Sequence, residues 1–376
     1  MSRFLTEPIT TKTSKTFTAP GMTIGTASMQ GWRDAMEDVD IVNIPMHPDA
    51  IDTICVAIFD GHGGSAVSTY IAEKIVKAIT DTKAFKNDHK SPESLAMALC
   101  EGFMVADDML KNHPQFKTSS DEMGSTGLFA IVTPKDVVCA NVGDSRCILS
   151  NAKIPEVLQL SVDHKPDLEF EKQRILAAGG TVFRGRVCGG VAVSRSFGDL
   201  WFKRNSELKP HEQLVTSEPC VRVQRRDPAD EFLVLCCDGI FDVMSNDQLR
   251  KFIRSKLKDG VKDPKDIAEM VLDECLAKAS KPFDQQHNWV SHTLTLLHLY
   301  MYLKIFNVFV QQLVRHILCV GWCFPVLIHS GVNSAVPADL SFSTKRVLSW
   351  VTTQANDDLN IVAIVAKSVD EADPDY

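Results

Sequence analysis

Apolar residues along the chain fall into short blocks that end at acids. Ile54-Cys-Val-Ala-Ile-Phe runs into Asp60-Gly61-His62-Gly63-Gly64, and Phe232-Leu-Val-Leu-Cys-Cys runs into Asp238-Gly239. Unbroken apolar runs of this length, rich in β-branched residues and stopped by Asp-Gly, read as buried strands. Asp357-Asp358-Leu-Asn-Ile-Val-Ala-Ile-Val shows the same pattern in reverse, acid first and apolar strand after. Further strands are expected at 41–44, after Gly124-Ser-Thr-Gly, and over 137–142, the last ending in Gly143-Asp144. Helical spacing of apolar residues predicts helices over about 66–80, 92–112, 168–178, 246–257 and 264–279. Residues 1–22, polar and Thr-rich, read as an N-terminal arm, and the mixed-charge stretch 203–213 reads as an exposed loop or flap.

Composition narrows the class. With 23% charged and 44% hydrophobic residues the chain has the make-up of a soluble globular protein, and 376 residues can bury a large core. A net charge of −8 argues against a nucleic-acid partner. The eleven cysteines show no CxxC pair, which speaks against structural zinc and for a reducing compartment, cytoplasmic or nuclear. Met1–Met22 lacks the apolar core of a signal peptide, and Ser2 excludes N-myristoylation.

Antiparallel neighbours would bring the acids at 60, 238 and 357 to one sheet edge. An oxygen-rich site with no His or Cys set suits Mg²⁺ or Mn²⁺. Arg33, close to Glu37 and Asp38, offers a fork for phosphate oxygens, and His62 can carry a proton. Taken singly, the stretch 60–64 also reads as an Asp-Gly turn with a surface histidine, and 33–38 as a surface ion-pair cluster.

The motifs SMQGWRDAMED (28–38), FDGHGG (59–64), GSTG (124–127), NVGDSR (141–146), DHKPD (163–167), AAGG (177–180), VAVSRSFGD (191–199), TSEP (216–219) and CDGIFD (237–242) follow one another between about residues 21 and 281, with NDDLNIVAIV (356–365) as a looser tenth. In order and spacing they resemble the metal-dependent type 2C protein serine/threonine phosphatases. The resemblance implies an α+β fold, a four-layer αββα sandwich of two antiparallel β-sheets flanked by helices. It implies two Mg²⁺ or Mn²⁺ ions: Asp60 bridging both, the Gly61 carbonyl on one, Asp238 and Asp357 on the other, and Glu37 and Asp38 acting mainly through water. Arg33 would hold the substrate phosphate, and His62 would protonate the leaving seryl or threonyl oxygen. Asp144, with Asp238 and Asp242, would hold a weaker third ion. The implied reaction is hydrolysis of phosphoprotein; with no Cys or Ser placed as a nucleophile, direct attack by water without a phosphoenzyme is expected, and the chain is expected to be a monomer. If Asp357 cannot reach the site, the alternative is a catalytically weak relative that binds phosphoproteins.

The chain departs from the family after the last helix. Residues 282–350 carry six charges and three of the five tryptophans. They read as an atypical apolar insert dividing a catalytic domain of 23–281 plus 351–368, with an acidic tail at 369–376. Three origins stay open: an insertion that packs on the surface or binds a partner, a membrane-contacting segment around 316–336, and translated intron.

Overall fold

The computed structural model describes residues 4–118, 123–278 and 292–299. All of these lie in one compact unit, Met1–Met301. In chain order the main elements are β1 (Phe4–Ala19), β2 (Met22–Arg33), β3 (Val39–Asn43), β4 (Ile54–Phe59), α1 (Ala66–Thr80), α2 (Lys83–Asn87), α3 (Pro92–Asn112), β5 (Gly127–Val132), β6 (Asp136–Val142), β7 (Arg146–Asn151), β8 (Leu158–Gln159), α4 (Glu169–Ala177), β9 (Cys220–Arg225), β10 (Asp230–Cys236), α5 (Asp238–Phe241), α6 (Asn246–Lys258), α7 (Pro264–Lys278) and β11 (His292–Leu299).

Two antiparallel sheets carry the fold. One has the order β1-β2-β11-β10-β7-β8, the other β9-β6-β5-β4-β3. Every residue of β4, β5 and β6 is buried, because these central strands are covered on both faces. Ile54, Val56 and Ile58 point one way, into an apolar cluster shared with Ile24, Leu233 and Leu235 of the other sheet. Their neighbours Cys55, Ala57 and Phe59 point the other way, onto α1 and α3 through Ile71, Ile75, Leu99 and Phe103. On the far sheet Phe232, Val234 and Cys236 pack against Ile253 of α6 and Val271 of α7. Each of the fully buried phenylalanines contributes ~1.5–3 kcal/mol relative to leaving it exposed.

Helix limits follow local chemistry. Ser91 caps α3 by accepting the Ser94 N–H, with Pro92 in the first turn. Ser245 and Gln248 form a reciprocal capping box at the start of α6.

Two regions differ from the expectation raised by the sequence. Residues 4–19, read as an arm, form a 16-residue edge strand joined to β2 through Pro20-Gly21, where Gly21 takes φ 73°. Its partners are polar, so hydrophobic periodicity does not reveal it. Lys12 pairs with Asp273 at 2.6 Å, Ser14 donates to Glu269, and Thr16 donates to Asp263 at 2.8 Å, all towards α7. The second region is 292–299, read as part of the insert. It forms β11, an interior strand, paired with β2 from His292↔Met29 to Leu299↔Met22 and with β10 from Leu294↔Cys236 to Leu297↔Leu233. Its scarcity of charge is what an interior strand requires. Among the described residues no helix is long and apolar enough to cross a membrane; 316–336 lies outside them, as does the sequence from 300 onward.

Candidate active site

The end of β4 turns sharply. After Phe59 the chain passes Asp60 and enters a two-residue strand, Gly61–His62, which pairs with Gly124–Ser125; that pair in turn meets Phe197–Gly198. Asp60 is clamped by its backbone: its N–H donates to Thr126 Oγ1 at 3.1 Å and its carbonyl accepts the Thr126 N–H at 2.9 Å. Gly61 is required by space. A Cβ there would stand 2.6 Å from the Glu37 carbonyl and 2.9 Å from Ser68 Oγ, the hydroxyl that donates to that carbonyl. The acids at 37 and 38 are thereby held against the Asp60 turn.

Asp38 precedes β3, Asp60 follows β4, and Asp238 follows β10 at the start of α5. Ligand atoms of Asp38, Asp60 and Cys237 lie within 4.8 Å of one another. Burial first, then the charges of Asp38, Asp238 and Asp144, holds the Asp60 carboxyl well above the usual carboxylate range. Asp238 is raised likewise, by burial and by Asp144 and Asp242, with Lys165 opposing. Its Oδ1 is buried and has no hydrogen-bond partner among the described residues. Oxygens crowded this way are costly without a cation and well matched to a hard divalent one. The donor set therefore fits the expected metal.

Arg33 ends β2 and makes no ion pair among the described residues, which leaves its guanidinium able to take an anion. His62 Nε2 lies 3.0 and 2.8 Å from the two oxygens of Asp199. Burial pushes the imidazole pKa down, but the Asp199 carboxylate, with Asp144 and Glu37 behind it, outweighs this and raises it above the ordinary value. Asp144 is buried and ion-paired with Lys165.

Of the residues singled out from the sequence, Glu37, Asp38, Asp60, Gly61, His62, Asp144, Asp238 and Asp242 belong to this one electrostatic cluster. Asp357 lies outside the described residues. Sequence reasoning missed Asp199, Lys165 and the proximity of Cys237 to the acids. Asp199 ends the VAVSRSFGD motif with a left-handed φ of 49°, a strained choice for a non-glycine residue that marks it as a special position.

His164 braces the loops behind the acids. It is fully buried, its Nδ1 accepts the Gly143 N–H at 3.2 Å, and its carbonyl accepts from both the N–H and the hydroxyl of Ser194. Burial, reinforced by Arg195, pushes its pKa down to about 3. An unfolded-chain histidine titrates near ~6.5, so between that pH and about 3 the unfolded state binds the extra proton and stability falls as pH falls. From pH 6.5 to 5 the wild type loses about 2 kcal/mol through this group. His164→Asn, which keeps an acceptor for Gly143, flattens that part of the slope in urea unfolding at the two pH values. An unchanged slope would show that another group sets it.

The protein phosphatase 2C family model matches residues 22–282. A probable protein phosphatase 2C of Caenorhabditis elegans is 39% identical over 278 residues, covering 74% of this chain and 75% of the relative. Protein phosphatase 2C homolog 2 of Hypocrea jecorina is 37% identical over 75% of this chain, which spans only 64% of that relative's length. Among solved structures, a serine-threonine phosphatase 2C from Toxoplasma gondii superposes with a TM-score of 0.63 at 22% identity, covering 79% of this chain and 99% of that one. At that identity the superposition speaks for the fold alone. The family match, running from the start of β2 past the end of α7 and through each strand end that supplies an acid to the cluster, is decisive: this chain belongs to the protein phosphatase 2C family.

Proposed function

We propose that the chain hydrolyses phosphoserine and phosphothreonine in proteins by direct attack of water at a centre of two Mg²⁺ or Mn²⁺ ions, with no phosphoenzyme. The observation that carries this is the convergence of Asp38, Asp60 and Asp238, with a buried oxygen of Asp238 that has no hydrogen-bond partner among the described residues. Asp60, the Gly61 carbonyl, Asp238, Glu37 and Asp38 would hold the ions, with Asp357 supplying a further ligand. When bound, such ions would lower the pKa of water towards neutrality and offset charge on the phosphoryl oxygens. Arg33, which makes no ion pair among the described residues, orients the phosphate through its guanidinium. His62 gives its proton to the departing seryl or threonyl oxygen, a poor leaving group without it. Asp144 and Asp242 are suited to a weaker third ion, which would have to displace Lys165 from Asp144.

The test is hydrolysis of an aryl phosphate, a phosphoserine peptide and nucleotides, with Mn²⁺ and with a chelator. Chelation is expected to remove activity by about 100-fold or more, restored by Mn²⁺ or Mg²⁺, and the phosphopeptide is expected to outcompete nucleotides. Chelator-insensitive turnover would overturn the metal mechanism, and a preference for nucleotides the substrate class.

One observation favours a second reading, a phosphoprotein-binding relative of low turnover. The sheet position beside β10 is taken by β11, whose first residue is His292, and Asp357 belongs to a different segment. Tight phosphopeptide binding with no chelator-sensitive turnover would select that reading.

A further inference from the structure

We infer that Asp199 is a positioning residue for His62. This rests on the hydrolase reading above and assigns the way its general acid is aimed. The Asp199 side chain is 1% exposed and that of His62 31% exposed, so the carboxylate sits inside and the imidazole stands at the mouth of the site. Both Asp199 oxygens face Nε2. A proton on Nε2 is therefore committed to Asp199, and the proton available for transfer is the one on Nδ1. As the P–O bond breaks, its electron pair goes to the seryl oxygen, which takes the Nδ1 proton. His62 is left neutral with Nε2–H still bonded to Asp199, and Asp199 itself neither gains nor loses a proton.

The loop that carries Asp199 is built to hold it still. Ser196 Oγ donates to Asp199 Oδ2 at 2.5 Å, and the Asp199 N–H donates to the Met123 carbonyl at 2.8 Å. Behind it lies a buried ion pair between Asp107 of α3 and Lys203, at 2.7 Å. Asp107 Oδ1 also accepts the Gly198 N–H at 2.8 Å, and Lys203 Nζ donates to the Ser196 carbonyl at 2.8 Å. The residues on either side of the left-handed turn are thus tied to α3. Gly124 completes the fit: a Cβ there would land on both the Asp199 carboxylate and His62 Nε2, so the strand beside them has to be bare at that point. A buried carboxylate fixing the ring and tautomer of a histidine is a recurrent way to keep one nitrogen free for chemistry.

The experiment compares Asp199→Asn, His62→Gln and the double variant on a phosphoserine peptide and on an aryl phosphate, whose leaving group needs little acid. Asp199→Asn is expected to lower kcat on the peptide by about 30-fold and on the aryl phosphate by less than about 3-fold. In the His62→Gln background it should add less than about 2-fold, because both changes disable one unit. Equal losses on the two substrates, or losses that multiply in the double variant, would overturn the inference. Should Asp199→Asn fail to fold, Ser196→Ala keeps the carboxylate and loosens it. A peptide-selective loss of about 3-fold supports the proposal, and no loss or an equal one overturns it. Nitrogen NMR of the His62 ring gives a readout independent of turnover. A wild-type Nε2–H tautomer that disperses in Asp199→Asn supports the proposal, and an unaltered tautomer overturns it. Absence of chelator-sensitive turnover in the wild type would instead count against the hydrolase reading, while the ring signal still reports on the dyad.

Discussion

Asp60→Asn abolishes metal-dependent hydrolysis and, in the presence of a chelator, melts at a higher temperature than the wild type. The two effects have one origin. Asp60 is packed beside Asp38 and Asp238 with Asp144 behind, and its pKa is raised first by burial and then by those three charges. A raised folded-state pKa means the folded protein binds more protons than the unfolded chain between the ordinary carboxylate value and the raised one. Stability of the metal-free protein therefore falls as pH rises through that window. Where Asp60 is ionised the metal-free wild type carries that repulsion, and the asparagine removes one of its charges. The gain should be on the order of 3 °C. Divalent cations reverse the order, since they stabilise a centre with its full set of acids more than one lacking Asp60. Activity should fall by about 10³-fold or more, because the lost carboxylate lies at the meeting point of the cluster. Retained turnover within tenfold, or a variant less stable than wild type in chelator, would refute this account of the cluster.

Leu296→Pro should prevent the protein from reaching its folded state. Residue 296 sits in mid-strand, opposite Gly25 on β2 and Val234 on β10. Proline cannot donate to a ladder and is tolerated only at sheet edges and bulges; here both sides are paired. The expected loss is about 3 kcal/mol or more, read as insoluble expression or a melting temperature lowered by ten degrees or so. Melting within about two degrees of wild type would mean that the sheet does not depend on this strand.

How much of this was legible depends on what each residue touches. Helices α1 and α3 occupy the spans that apolar spacing marks out, because each lays one apolar face on the sheet and α3 is announced by Ser91-Pro92. Strand β4 shows as a solid apolar block since both of its faces are covered. Strand β1 was hidden because its side chains are held by an ion pair and a hydroxyl bond to α7, and by a second hydroxyl bond to Asp263 just before it, rather than by burial. The acids at strand ends could be read from the Asp-Gly punctuation. Asp199 could not: its task is defined by a contact with a histidine 137 positions away. Cys237 looked like an ordinary core thiol, and it does pack among apolar residues between the sheets, yet it also stands beside Asp38 and Asp60. Residues 292–299 were set aside for lacking charge, when an interior strand with a partner on each side has little use for it.

The position of β11 also sets an order of events while the chain is being made. Its partner β2 is complete by Arg33, but Met29 pairs with His292. Until the ribosome has delivered nearly three hundred residues, the β1–β2 hairpin has an open inner edge and β10 has another. The sheet β9-β6-β5-β4-β3 has all its strands by Arg225 and can form first. The other sheet closes last, by insertion of a late strand between two waiting ones, a contact of very long sequence separation and hence slow to form. Nascent chains stalled before residue 292 would present two unpaired strand edges to their neighbours, which makes the interval before that residue is delivered the period when edge-to-edge pairing threatens this protein most.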